Sequence, residues 1–598
     1  MRPEPQRLPV VLLWHMHQPQ YRDALTGRYV LPWTYLHAIK DYTDMAAHLE
    51  AIPSARAVVN FTPVLLEQLE EISHRVGDHL ALGSPLPDPV LALLGPDPVP
   101  SEPAERLELL RACLKAQRKQ MIERFGPYLE LATLAEPLAT LERVGYASDQ
   151  LIHDLAVWYH LAWLGETVRR TDTFVSTLTQ QGRAFTAAQR RELLSLLAEL
   201  IASIVPRYRK LAERGQCELS VTPYGHPIVP LLLDFQTARD AVPNMPLPQC
   251  PSYPGGAERA QWHVRESLRV FKRVFGSDPS GCWPSEGAIS RGTLELLDQA
   301  GFKWAATSAS VLQGALARGD PKAARDASAY NRPYRLPGGN MVEFFRDDTL
   351  SDLIGFTYAT WHGDDAAQNL VNELAHLARQ YGESAARIHN AAGATPDASQ
   401  RETEGASADA HAGRPCHAVL IALDGENAWE HYPFNGYYFL RALYSLLAAH
   451  PLLELTTLAD CVARGLEPRP LQNVMAGSWV HGTLATWMGD AAKNRAWDLL
   501  CEAKVAFDGV VASGALDPAQ RTVVERQLAL CESSDWFWWF GDYNPADAVS
   551  QFDSLYRRQL VVLYRLLGLP PPESLAQPIS VGRGNPEHGG VMRRAYAS

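Results

Sequence analysis

Near its start the chain carries an unbroken apolar run, Pro9-Val-Val-Leu-Leu-Trp14, which gives way at once to His15-Met-His-Gln-Pro19. An apolar run of this length closed by polar residues predicts a strand buried on both faces of a parallel sheet. Six further runs share the pattern: 57–62, 217–222, 279–283, 302–307, 341–345 and 418–423. Most are separated by helical stretches such as 291–300, so strand and helix alternate and predict a parallel α/β sheet. Polar residues gathered after the strand ends predict a barrel whose C-terminal rim carries the site.

Two regions break the alternation. From Pro63 to Gln216 the pattern is helical almost throughout. Leu193, Leu196, Leu197, Leu200, Ile201 and Ile204 recur at helical spacing behind a capping box at Thr186 to Gln189. This is too much chain for one crossover and predicts a helical insertion, with Trp158, Tyr159, His160 and Trp163 as a packing face. Beyond Leu455 helices return, one announced by Asp517 and Pro518, another by Phe552, Leu555, Tyr556, Leu563 and Leu566 up to Gly568. The expected division is a barrel over 1–465, with an insertion at about 64–216 and a mobile surface loop at about 388–415. A C-terminal helical domain over 466–569 and a poorly ordered tail over 570–598 follow.

Composition narrows the function. Of 598 residues, 46% are hydrophobic and 20% charged, ordinary for a water-soluble globular protein. A formal net charge of -12 argues against a nucleic-acid partner and suits a neutral substrate. No stretch is apolar for long enough to span a bilayer, and no cleavable leader follows Met1. Eight cysteines without a CxxC spacing indicate neither a zinc knuckle nor a disulfide framework, which fits reduced thiols in a cytoplasm.

The chemistry concentrates at two strand ends. Gly281-Cys-Trp-Pro-Ser-Glu-Gly287 sets Glu286 after one apolar run, and Asp424-Gly-Glu-Asn427 follows another. Two carboxylates far apart in sequence but meeting on a barrel rim are what glycosidic cleavage needs, about 5–5.5 Å apart when the configuration is retained. Glu426, two positions on, is the rival of Asp424 and could instead support it or bind a hydroxyl. Trp283, Trp429, Trp487 and the run Trp536 to Phe540 are candidate platforms for sugar rings, with core packing as the alternative. Arg346-Asp-Asp348 also falls on the rim, where Arg346 could orient a carboxylate and Asp347 could grip hydroxyls. The Gly/Pro-rich stretch 251–256 is a candidate cover for the cleft. His15 and His17, on one face of an extended segment, could with His226 and an acid bind zinc, which would make the protein a metal-dependent carbohydrate hydrolase or deacetylase.

Several of these motifs occur together in one family. His17-Gln-Pro19, Glu218 followed by His226-Pro-Ile-Val-Pro230, Trp283-Pro-Ser-Glu286, Asp424-Gly-Glu-Asn-Ala-Trp429 and the late Trp-rich segments resemble the five ordered motifs of glycoside hydrolase family 57. The segment Gly477 to Gly482 continuing to Asp490 resembles the fifth. The resemblance implies an incomplete (β/α)7 barrel with a helical C-terminal region, and retaining action on α-glucans. It implies Glu286 as nucleophile and Asp424 as general acid/base, with His15, His17, Glu218, His226 and Trp283 lining the adjoining sugar subsite. No metal or organic cofactor is implied. Cleavage of α-1,4 bonds in starch, glycogen or maltodextrin is expected, with α-1,6 bonds as an extension. The alternatives are transfer or branching at the same site, and a glucan-binding protein without turnover.

Overall fold

The computed structural model describes residues 7–319, 321–393, 416–584 and 592, of which 384–393 as backbone only. All seven apolar runs form strands: β1 (Leu8–Met16), β2 (Ala57–Phe61), β3 (Cys217–Val221), β4 (Gly281–Cys282), β5 (Trp304–Ser308), β6 (Val342–Arg346) and β7 (Val419–Asp424). They lie in the spatial order β7-β1-β2-β3-β4-β5-β6, all parallel. The pair Arg346 with Leu420 joins β6 back to β7 and closes a seven-stranded barrel. The β3–β4 seam likewise rests on one pair, Val221 with Cys282, so the ring is thinnest at these two places. Short strands at Tyr334–Arg335, Arg469–Pro470 and Leu453–Leu455 extend the sheet outside the ring.

The unbroken apolar character of the runs follows from this closure. Val11, Leu13, Val58, Trp304, Ala306, Val342, Phe344, Leu420 and Ala422 fill the barrel interior together with Trp283. The alternate positions Val10, Leu12, Trp14, Val59, Phe61, Ile421 and Leu423 face the surrounding helices in the larger core. Side chains on a strand point alternately to the two faces, and here both are dry, so neither face tolerates a polar residue without a partner. Gly281 is the exception that proves a packing need: a Cβ there would lie 1.8 Å from the Trp304 ring.

From Pro63 to Glu213 the chain between β2 and β3 is helical. The predicted capping box at Thr186 is formed, as is a second at Asp517 with Pro518 opening the helix. Helix Gly363–Gly393 runs past Ile388, where composition predicted a loop; the rest of that predicted loop lies outside the described residues. Late in the chain the helices Ala491–Ala512, Pro518–Cys531, Ser534–Trp539 and Ala546–Leu566 pack against one another. Part of the expected loose tail is bonded back instead: Arg583 and Gly584 N–H donate to the Asp542 and Asn544 carbonyls. No helix among the described residues is long and apolar enough to cross a membrane.

Register sets up the site. His15 on β1 stands level with Asn60 on one side and with Asp424 on the other. The C-terminal rim of the barrel therefore brings three separate segments to one level before any loop is considered.

Candidate active site

A cavity of about 290 Å³ opens at this rim, lined by His15, His17, His226, Glu286, Arg346, Asp424 and Glu426, with Trp33, Trp163, Trp479, Trp538 and Trp539 among its aromatic walls. Glu286 follows β4 on a turn in which it and Gly287 both have left-handed backbone, φ 58° and 57°. For a residue with a Cβ this conformation costs about 1–2 kcal/mol. The turn is held by a flanking strand-like segment: Ile289 and Gly477 exchange backbone hydrogen bonds, and Trp479 N–H donates to the Glu286 carbonyl at 3.1 Å. His226, in the loop that follows β3, is left-handed too, φ 57°.

The carboxylate of Glu286 is reached from two distant segments. Trp479 Nε1–H donates to Oε2 at 3.0 Å, and Ser534 Oγ lies 3.3 Å from Oε1. Burial pushes the Glu286 carboxyl up to about 8, with the negative charges of Asp424 and then Asp535 adding to it and the two donors opposing. Asp424 receives Asn427 Nδ2–H at 2.8 Å. Burial pushes it up to about 6, against that hydrogen bond and the opposing influence of the neighbouring His17 and Arg346. Both acids face one cavity from the ends of strands on opposite sides of the ring, and the charge of Asp424 acts on Glu286.

Three imidazoles stand beside them as a stack. The His17 and His226 rings are 3.8 Å apart at 17°, and those of His15 and His226 5.2 Å apart at 21°. Burial and the neighbouring imidazoles hold His15 down at about 3 and His226 well below its ordinary range, so both are neutral. His17 instead contacts Asp535 at 2.9 Å through Nε2 and Thr62 Oγ1 at 3.1 Å through Nδ1. Glu426 accepts at Oε1 from His17 N–H, Gln18 Nε2 and Tyr42 OH, while its buried Oε2 has no partner among the described residues. That free oxygen is available to a substrate hydroxyl.

The structure thus gathers Glu286, Asp424, His15, His17, His226, Arg346 and Glu426 of the sequence-predicted residues, and leaves five elsewhere. Glu218 sits toward the N-terminal end of β3, accepting from Trp304 Nε1–H at 2.6 Å and Ala459 N–H at 2.9 Å, away from the cavity. Trp283 is fully buried inside the barrel, edge-on to Trp479 at 5.2 Å, and so supports the site from below. Asp347 caps helix Asp348–Asp352 by accepting from Leu350 N–H. Trp429 and Trp487 are fully buried packing residues; Trp429 donates to the Gly425 carbonyl and Trp487 packs at 6.0 Å from Trp538. Arg346 lines the cavity while paired to Asp348 at 2.8 Å and Asp352 at 2.9 Å, both roles at once.

Sequence reasoning held Trp479 only as part of the segment Gly477 to Gly482, without a role, missed Ser534 and Asp535, and assigned Trp163 to packing although it lines the cavity. The run Trp536 to Phe540 splits: Trp538 and Trp539 reach the cavity, while Trp536, Phe537 and Phe540 are core. A helix of consecutive aromatics must divide its faces this way, since neighbours point about 100° apart.

A metal reading is tested by the same geometry. His17, His226 and Asp535 each offer a ligand atom within 4.8 Å of the others. The two imidazoles, however, lie face to face, so their lone pairs run side by side and do not converge on one tetrahedral point. His226 also has both ring nitrogens engaged, with His15 and Ser534.

Residues 11–472 match the family model described as Glycosyl hydrolase family 57. No curated protein sequence matches this chain. Among solved structures it is similar to a GH57-type branching enzyme from Pyrococcus horikoshii, at TM-score 0.54 and 16% identity over 99% of both chains. It is similar to a GH57 branching enzyme from Thermococcus kodakaraensis, at TM-score 0.53 and 14% identity over 94% of this chain and 90% of that one. It also resembles the alpha-amylase AmyC from Thermotoga maritima, at TM-score 0.52 and 13% identity over 94% of each chain. At these identities the likeness speaks for the fold.

Proposed function

This chain belongs to glycosyl hydrolase family 57, and from that premise we propose that it is a retaining enzyme acting on α-1,4 bonds of α-glucans. Glu286 attacks the anomeric carbon, and Asp424 gives its proton to the leaving glycosidic oxygen. Asp424 then takes a proton from water, or from a sugar hydroxyl if the outcome is transfer. The observation that carries this reading is that Glu286 and Asp424, from opposite sides of the ring, face one aromatic-walled cavity, where the charge of Asp424 helps push up the Glu286 carboxyl. Names among the structural neighbours, branching enzyme and alpha-amylase, support a glucan as substrate.

The paired titration has a consequence for rate. With one carboxyl pushed up to about 6 and the other to about 8, the values belong to the pair, which carries one proton between them. The form a retaining mechanism requires, with Glu286 ionised and Asp424 protonated, is the minor arrangement of that singly protonated pair, since the higher of the two values lies on Glu286. Below about pH 6 the second proton blocks the nucleophile; above about pH 8 the acid is lost. The expected kcat/KM profile on maltooligosaccharide is a bell with limbs near those two values, and a profile flat from pH 5 to 9 would contradict it.

Incubation with maltoheptaose tests the function itself. Shorter sugars alone mean hydrolysis; a ladder running both up and down in length means transfer; no change in either direction overturns the proposal. The metal-dependent alternative makes the opposite forecast under chelation. Activity is expected to survive extended dialysis against EDTA undiminished, and a loss restored by zinc would favour that alternative.

A further inference from the structure

The imidazole stack contains a continuous polar chain that ends on Glu286. Asn60 on β2 contacts His15 Nδ1 at 2.7 Å, and His15 Nε2 meets His226 Nε2 at 3.1 Å. His226 Nδ1 meets Ser534 Oγ at 2.8 Å, and Ser534 Oγ lies 3.3 Å from Glu286 Oε1. Each neutral imidazole has one N–H and one lone pair, so the chain can run in only one of two senses. Which one is decided at its far end.

There the Asn60 amide presents Oδ1 to His15 and to Thr222 Oγ1, and Nδ2 to Ser220 Oγ at 3.0 Å. Half a turn of the amide exchanges the two atoms and keeps every distance. Thr222 has one hydroxyl proton and stands 2.7 Å both from the Trp283 carbonyl, which can only accept, and from Asn60. With the amide oxygen toward Thr222, two acceptors compete for one proton and one close oxygen pair is left without any. With the nitrogen there, Thr222 donates to Trp283, Asn60 Nδ2 donates to Thr222 and to His15, and Ser220 donates to Asn60 Oδ1. Every contact then has one donor, as buried polar groups require.

The rest follows by counting protons. His15 accepts at Nδ1 and so donates from Nε2 to His226; His226 accepts at Nε2 and donates from Nδ1 to Ser534. The Ser534 hydroxyl is left free to donate to Glu286. In the reverse sense it would donate back to His226, and Glu286 Oε1 would lose its partner.

We propose that Asn60 and Thr222 are positioning residues, which set the sense of a hydrogen-bond chain through His15, His226 and Ser534 so that its last donor holds Glu286 as an oriented anion. With Trp479 on the other oxygen, both carboxylate oxygens are then fixed. The inference rests on Glu286 being the nucleophile. The other ionisable groups around this site are Asp424, Asp535, Glu426, Glu430, His17, His37, Tyr21 and Arg346, none of which donates to Glu286 Oε1 in place of Ser534.

Neutron diffraction from deuterium-exchanged crystals of the unmodified protein reads the sense directly. Deuterium is expected on His15 Nε2 and His226 Nδ1; deuterium on His15 Nδ1 and His226 Nε2 overturns the proposal. In solution, Ser534→Ala and Asn60→Ala are both expected to raise the alkaline limb of the kcat/KM profile by about 0.5–1 pH unit and to lower its plateau, because Glu286 carries the higher value of the pair and its anion loses a donor. Their double variant is expected to shift it no further than either alone, since one chain is broken twice. An Asn60→Ala variant that melts earlier but keeps the wild-type alkaline limb makes Asn60 merely structural and sinks the idea. If Glu286→Gln retains activity, the premise about the nucleophile has failed; if it is inactive while Ser534→Ala and Asn60→Ala both keep the wild-type alkaline limb, the chain alone has failed.

Discussion

Glu286→Gln is expected to lower turnover of maltoheptaose by about 10⁴-fold or more, because no other group can form the covalent bond to the sugar. The amide keeps the shape and the Trp479 contact, so the loss reads chemistry and not folding. Asp424→Ala is expected to be as slow on maltoheptaose but to recover with a maltosyl fluoride, whose leaving group needs no proton. Azide separates the two assignments by stereochemistry. In a Glu286→Gly variant azide takes the place of the nucleophile and attacks the α-fluoride once, giving a β-glycosyl azide. In Asp424→Ala it attacks a glycosyl-enzyme already formed, giving the α-azide. If the two products are exchanged, the roles of the acids are exchanged as well.

The second large effect lies outside the cavity. Glu532 is fully buried and accepts from Arg259 Nε at 2.8 Å and Nη2 at 2.7 Å, from Tyr253 OH at 2.6 Å and contacts His263 Nε2 at 2.7 Å. Although burial raises its carboxyl, the positive Arg259 and the hydrogen bond from His263 outweigh that and hold it down at about 2. Glu532→Gln leaves the Arg259 guanidinium, itself buried, without its counter-charge, which is expected to cost about 3–5 kcal/mol. A denaturant midpoint equal to that of the wild type would refute this. The effect should reach the site too. His263 Nδ1 accepts from Gly225 N–H, and Ser534 N–H donates to the His226 carbonyl, so the clamp holds the segment that carries Ser534 against the loop that carries His226. The pH dependence has a definite sign. A carboxyl depressed in the folded state contributes stability that is present above its unfolded range and is lost as pH falls through about 2.

How far the sequence could be read depended on the range of the interaction involved. Strand β1 announced itself because both its faces are dry, and a local run of apolar residues records that fact. Glu286 and Asp424 were legible because each stands where such a run stops. Trp479 was not, since its contact with Glu286 spans 193 positions and depends on the pairing of Gly477 with Ile289. Ser534 and Asp535 were hidden for the same reason, being brought to His226 and His17 by the Glu532 clamp and not by any local pattern. Glu218 misled in the other direction: a carboxylate on the right strand, but near its wrong end.

The sequence by itself determined the number of barrel strands and their places along the chain, the helix caps at Thr186 and Asp517, and the two acids at strand ends, because periodicity, capping and chain reversal are written in neighbouring residues. The tertiary structure alone decided which aromatic rings face the cavity, which donors meet Glu286, and that Trp283 supports the site from inside the barrel. These are choices between faces and between partners far away in the chain. They are settled by which arrangement leaves the fewest buried polar groups unpaired and the least apolar surface wet, a property of the packed molecule and of no single segment of it.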